Sequence, residues 1–138
     1  MATLQREMDT AETKEAVLLG LSDHNAARAG PRKSCPLAIS LRDEAGAIVG
    51  GLIGELKWQW LHVDLLWIDD AHRGAGHGEA LMAMAEQEAR DAGARGVYLS
   101  TMSLQAPGFY PRLGYHECGR MENYPVVGHR IHHFTKAL

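Results

Sequence analysis

Apolar and polar residues alternate with two different periods along this chain, and the places where the period changes mark its elements. From Trp60 to Ile68, Leu61, Val63, Leu65 and Trp67 alternate with Trp60, His62, Asp64 and Leu66, a strand pattern with one polar-leaning face. Ala47 to Leu56 is a second strand, rich in glycine and β-branched residues, and Leu37 to Arg42 a third; Asp43-Glu44-Ala45-Gly46 makes the turn between them. Three antiparallel strands joined by short turns are the economical arrangement. Helical spacing takes over from about Gly78 to Ala92, with Leu81, Met84, Ala85, Ala89 and Ala92 on one face, Glu79, Glu86, Glu88 and Arg90 off it, and Gly93 as the C-terminal stop. Val97 to Thr101 is a short apolar strand, so strand, helix and strand form a parallel crossover. Pro107 opens a short helix that ends at Gly114, and Tyr115 to Arg120 and Arg130 to Lys136 close the chain as two strands.

Upstream, Asp9 followed by Glu12 has the form of a capping box, and a helix is expected from Ala11 to Ala29, stopped by Gly30-Pro31. Gly20 and Ser22 are the positions at which it would split in two. The fold class that follows is mixed α/β: a central, mostly antiparallel sheet flanked by helices. One domain over residues 1–138 is expected, with a helical part at about 9–30, a core at about 47–120 and closing strands to 138.

With 138 residues, 46% of them apolar, the chain can bury a core without staples, and no apolar run reaches the roughly 20 residues that span a bilayer. The first residues, Met1 to Lys14, are polar and include Glu7, Asp9 and Glu12, unlike a secretory or transit peptide; a cytoplasmic protein without a membrane partner is expected. Cys35 and Cys118 fit that compartment as free thiols. A net charge of −3 without a basic stripe points away from nucleic acid and toward a cationic or amine substrate. The chain has 8 histidines, but His72, His77, His129, His132 and His133 do not combine with cysteines or carboxylates at ligand spacing, so no metal is expected.

The densest signal is Ala71-His72-Arg73-Gly74-Ala75-Gly76-His77-Gly78-Glu79-Ala80-Leu81, where three glycines punctuate the entry to the central helix directly after a strand. Glycines at alternate positions let successive backbone N–H groups converge on an anion, and the helix adds its own unpaired donors and the positive end of its dipole. Glycine-rich turns also lead into helices that bind nothing, so a second signal is needed.

That signal is Phe109-Tyr110-Pro111-Arg112-Leu113-Gly114-Tyr115, beyond one crossover strand. Together the two segments resemble the GNAT superfamily of N-acetyltransferases: Arg73-x-x-Gly76-x-Gly78 resembles its acetyl-CoA pyrophosphate loop, and the second its leucine-tyrosine-x-x-x-glycine-aromatic helix and strand. The likeness runs over about Ala47 to Leu138. It implies that acetyl-CoA is the acyl donor, that Arg73, Gly74, Ala75, Gly76, His77 and Gly78 form the pyrophosphate loop, and that Ile68 lies on the strand edge receiving the pantetheine arm. Ser103 stands where many members carry an asparagine, and His77 where an aliphatic residue is common. A homodimer is a further implication.

The implied reaction is direct attack of a neutral amine, on a small molecule or a protein, at the thioester carbonyl. The resemblance assigns Tyr110 the proton to the departing thiol; because a phenol titrates near 10 and a thiol near 8.5, full transfer is uphill by about 2 kcal/mol, and hydrogen bonding to the thiolate is the stronger contribution. Packing between helix and strand is its other reading. For the base, Asp64 leads, Glu55 follows and His62 is third; solvated or ion-paired carboxylates are the alternative. Trp58 and Trp60 either line an acceptor pocket or cover the sheet or a subunit interface, and Tyr124 and His129 either reach that groove or stay on a solvated loop. Two other function classes stand beside the enzyme: a non-catalytic acyl-CoA sensing domain, and a partner-binding domain that has lost the cofactor.

Overall fold

The computed structural model describes all 138 residues, in two compact units, Met1–Lys33 and Ser34–Leu138. The first unit is organised by one helix, α1 (Ala11–Ala29), which runs unbroken through Gly20 and Ser22. Its start departs from the expected capping box: Thr10 is the N-cap without a side-chain bond, and Asp9 accepts the Ala11 N–H at 3.0 Å. Gly30, at φ 81°, ends it by returning its N–H to Ala26. None of the α1 residues is buried.

In the second unit a six-stranded sheet has the order β1 (Ser34–Arg42), β2 (Ile48–Lys57), β3 (Trp60–Ile68), β4 (Gly96–Met102), β6 (Arg130–Ala137), β5 (His116–Glu122). Only β3 and β4 run parallel, and the helix α2 (His77–Asp91) connects them, as a parallel pair requires. The expected mixed α/β sheet is therefore the observed one. A four-residue helix, α3 (Phe109–Arg112), precedes β5.

The core lies between α2 and one face of the sheet. Leu52, Leu61 and Val97 are fully covered there by Met82, Ala85 and Ala89 from α2, and Tyr110, Tyr115 and Phe134 close one end. The buried stripe of α2 is rotated from the expected one. Met82 is inside and Met84 is 55% exposed, while Glu86, expected on the outer face, is 5% exposed. Glu86 is tolerated inside because cationic and hydroxyl donors meet it there, as described below.

A second correction concerns β3. Ile53 pairs with Leu65 and Gly54 with Val63, which leaves Asp64 as an unpaired bulge residue. One inserted residue reverses every side chain beyond it. Leu61 and Val63 face the core as the alternation predicts, but Leu65 and Trp67 are 60% and 54% exposed, and Leu66 and Ile68 turn inward instead. At the same point β3 leaves its parallel neighbour: the β3–β4 register runs from Trp60–Gly96 to Val63–Leu99 and stops. Both strands continue on their other sides, β3 along β2 and β4 along β6, so a gap opens in the middle of the sheet toward the carboxyl ends of β3 and β4.

Candidate active site

The chain leaves β3 at Ile68 through a single 3₁₀ turn, Asp70–His72. Asp69 caps the turn, accepting the Ala71 N–H at 2.7 Å and pairing with His72 Nδ1 at 3.2 Å; these hydrogen bonds, that of His72 foremost, hold its carboxyl below the usual range. Arg73 is spent on the loop itself: its Nε donates to the Ile68 carbonyl at 2.9 Å and its guanidinium pairs with Asp70 at 2.9 Å. Gly74 and Gly76 then take φ of 78° and 83°, the left-handed region that favours glycine. These two residues turn the chain into α2, whose N-cap is Gly76.

The result is a row of donors. The N–H groups of Gly74, Ala75, Gly76, His77, Gly78 and Glu79 meet no acceptor within the protein; the first inward bond of the helix is Ala80 N–H to Gly76 O at 3.1 Å. A Cβ placed on Gly74 or Gly76 would meet nothing within 4 Å, so the space beside these two residues is open. Gly78 has another duty. A Cβ there would lie 3.3 Å from the Phe109 ring and 3.5 Å from Ile68, so its bare backbone is the seat on which α3 docks. The two sequence motifs are in contact through this seat.

Docking sets the next residue, Tyr110, in an aromatic nest with ring centroids 5.0 Å from Phe109, 5.9 Å from Tyr115 and 5.8 Å from Phe134. Burial pushes its hydroxyl above the usual tyrosine range, so it stays a protonated donor at neutral pH. The hydroxyl bonds to no protein group, yet no fully buried side-chain polar atom in the protein lacks a partner; the oxygen of this 8% exposed residue therefore opens to solvent.

Tyr110 rests on a polar cluster that sequence reasoning missed. Glu86 accepts from Lys136 Nζ at 2.6 Å and from the Tyr115 hydroxyl at 3.1 Å, and Lys136 also donates to the Leu113 carbonyl at 2.8 Å, at the end of α3. Desolvation, then the Glu86 charge, raises Tyr115 far above the tyrosine range. The available signal was Glu86's position four residues after Met82, on the same face of α2.

Glu55, His62 and Asp64 come together. They line a cleft of about 450 Å³ with Ser34, Pro36, Ile53 and Gly54. Glu55 lies opposite His62 in the ladder and accepts from Ser34 Oγ. The His62 ring stacks on Tyr98 at 4.6 Å, and burial, with Lys57 next, lowers its pKa against the opposing pull of Asp64 and Glu55. Trp58 and Trp60 do not line this cleft but a second cavity of about 510 Å³, described below. Tyr124 is 40% exposed on the β5–β6 loop and lines neither cavity. The Ser103 hydroxyl is engaged by the Arg130 N–H at 3.0 Å and by His129 Nδ1 at 3.2 Å, and so ties the end of β4 to that loop.

The acetyltransferase (GNAT) family pattern matches residues 4–115. The chain belongs to that family. That is the family the two sequence motifs led us to expect. A blasticidin-S acetyltransferase of Streptomyces morookaense is 51% identical over 83 residues, 59% of this chain and 61% of that protein. The chain thus matches less than two thirds of that relative's length. The crystal structure of an acetyltransferase from Bacillus cereus ATCC 14579 superposes with a TM-score of 0.87, 31% identity and 98% of each chain covered. An aminoglycoside 6′-N-acetyltransferase crystallised with coenzyme A shares the fold alone, with a TM-score of 0.67 and 18% identity over 74% of this chain and 72% of that one.

Proposed function

We propose that the chain is an acetyl-CoA-dependent N-acetyltransferase of small-molecule amines, with the donor's diphosphate on the amide row from Gly74 to Gly78. The observation that carries this reading is the run of unaccepted N–H groups at the head of α2, in a loop with open space beside Gly74 and Gly76. Such a row fits a diphosphate by charge and geometry, and the gap between β3 and β4 beside it fits an extended arm that adds as a strand. When bound, acetyl-CoA supplies an activated thioester carbonyl. His77 and Ala75 contribute backbone donors, and Arg73 braces the loop from behind. Ile68 ends the free edge of β3 with its carbonyl already taken by Arg73, so the arm pairs with the residues before it.

Tyr110 presents its open hydroxyl to the sulfur and steadies the thiolate as the bond breaks. Asp64, exposed at the bulge, accepts the proton of the incoming ammonium through water, while Glu55 on the facing strand adds negative charge to the same cleft. His62 faces them with a lowered pKa and is neutral at pH 7. Likeness to the blasticidin-S enzyme makes blasticidin S the first acceptor to assay.

Calorimetry with Gly76→Asp tests the cradle. A carboxylate placed about 4 Å from a diphosphate at an effective dielectric near 20 costs about 4 kcal/mol, so acetyl-CoA affinity is expected to fall by about three orders of magnitude. Undiminished binding would remove the diphosphate from this loop.

A further inference from the structure

Beside the hairpin that joins β2 to β3 lies the second cavity, of about 510 Å³, a volume typical of small-molecule sites. Tyr98 lines it, His62 lines the cleft that holds Asp64, and these two rings stack, so the cavities share a wall. Ser100, on its floor, is the first β4 residue beyond the last β3–β4 pair, which brings the cavity to the edge of the gap in the sheet.

Two details mark its aromatic lining as built against local preference. Trp58 sits in the two-residue turn between the paired Lys57 and Trp60 at φ 56°, where glycine, asparagine or aspartate is the favoured residue. The chain keeps an indole there at the cost of backbone strain. Trp60 needs a glycine across from it: a Cβ on Gly96 would come within 2.5 Å of its ring. The Trp60 ring meets Tyr98 edge to face at 6.4 Å, and the Lys57 ammonium stands 5.7 Å from the centre of the Tyr98 ring. On the floor, Ser100 Oγ and His133 Nδ1 are 2.7 Å apart and supply polar contacts for ring heteroatoms.

We propose that this cavity is an aromatic subsite of the acceptor, taking a planar aromatic or heteroaromatic ring whose attached amine reaches past the His62–Tyr98 wall toward Asp64. The inference rests on the transferase reading above and narrows its substrate to ring-bearing amines. Stacking between indole and phenol rings selects a flat ring over a puckered one of the same carbon count.

The test compares 2-phenylethylamine with 2-cyclohexylethylamine as acceptors in a thiol-release assay, for the wild-type chain and Trp58→Gly. Glycine takes the positive φ without strain, so the variant is expected to melt no lower than wild type. The wild-type kcat/KM is expected to favour the planar ring at least tenfold, and the variant to lose most of that preference. Equal use of both amines by the wild type overturns the subsite and leaves the transferase intact. Without acetyl-CoA, 2-phenylethylamine is expected to quench tryptophan fluorescence saturably in the wild type and not in Trp58→Gly. That result with no amine acetylated would keep the subsite and sink the transferase. Should Trp58→Gly instead change the sedimentation of the protein while ring preference stays as it was, the patch is a contact between copies of the chain and the proposal fails.

Discussion

Glu86→Gln tests the buried cluster under α3, because it removes one charge and keeps the shape of the side chain. Glu86 is 5% exposed and accepts from Lys136 at 2.6 Å and from Tyr115 at 3.1 Å. Its replacement leaves the Lys136 ammonium with the Leu113 carbonyl as its remaining close acceptor. Breaking a buried pair by removing one partner costs about 3–5 kcal/mol, and because the Lys136 side chain is 23% exposed and still reaches water, the lower end applies, about 3 kcal/mol. For a chain of this size that corresponds to a fall in Tm of about 9 °C. Removing both charges in Glu86→Gln/Lys136→Met is expected to recover most of the loss, to within about 1 kcal/mol of wild type, since no unpaired charge is left inside. Urea unfolding of the wild type, both single variants and the double variant gives the coupling directly. A Glu86→Gln loss below about 1 kcal/mol, or a double variant that merely sums the singles, would refute the claim that the pair is coupled across this core.

Tyr110→Phe is expected to lower kcat by about 10- to 100-fold with acetyl-CoA affinity retained, and to leave stability nearly unchanged because the hydroxyl bonds to no protein group; an unaltered kcat would take Tyr110 out of the reaction. For His62, a folded-state pKa below its unfolded value means that the unfolded chain binds more protons in the window beneath about 6.5, so its contribution to stability falls as pH drops through that window. An NMR titration is expected to place the His62 midpoint below 6.5, lower still in Asp64→Asn, which removes a charge that raises it, and higher in Lys57→Met. A midpoint indifferent to both substitutions would mean that the cleft's charges do not reach the ring.

What could be read from the sequence was local. The strand Trp60–Ile68 and the helix Ala11–Ala29 carry their own boundaries in polar, glycine and proline punctuation, and the turn into α2 declares itself through glycines that the backbone requires at Gly74 and Gly76. The grouping of Glu55, His62 and Asp64 was legible to the same degree, because a hairpin of short turn fixes which residues face each other. What stayed hidden depends on partners far along the chain. Whether Glu86 lies inside is decided by Lys136, which no helical periodicity within α2 can announce. The Ser103 hydroxyl is claimed by His129 and Arg130 from the far side of two further elements. Trp58 at positive φ contradicts the turn preference that a sequence reader relies on.

The bulge at Asp64 joins the remaining pieces. An alternating strand gives no sign of where one residue will be skipped, since that depends on the register of β2. Yet two things meet at the skip. It coincides with the end of the parallel ladder at Val63 and Leu99, so the facing edges beyond them stay unpaired, and it leaves Asp64, which the alternation with Leu61 and Val63 already turns outward, without a partner on β2. Just past the end of β4, Ser103 bonds to His129 and to Arg130, which ties that end of the strand to the start of β6. The single extra residue in β3 therefore marks where the open strand edge begins, with the outward Asp64 carboxylate beside it and a row of free amides one turn beyond the end of the strand.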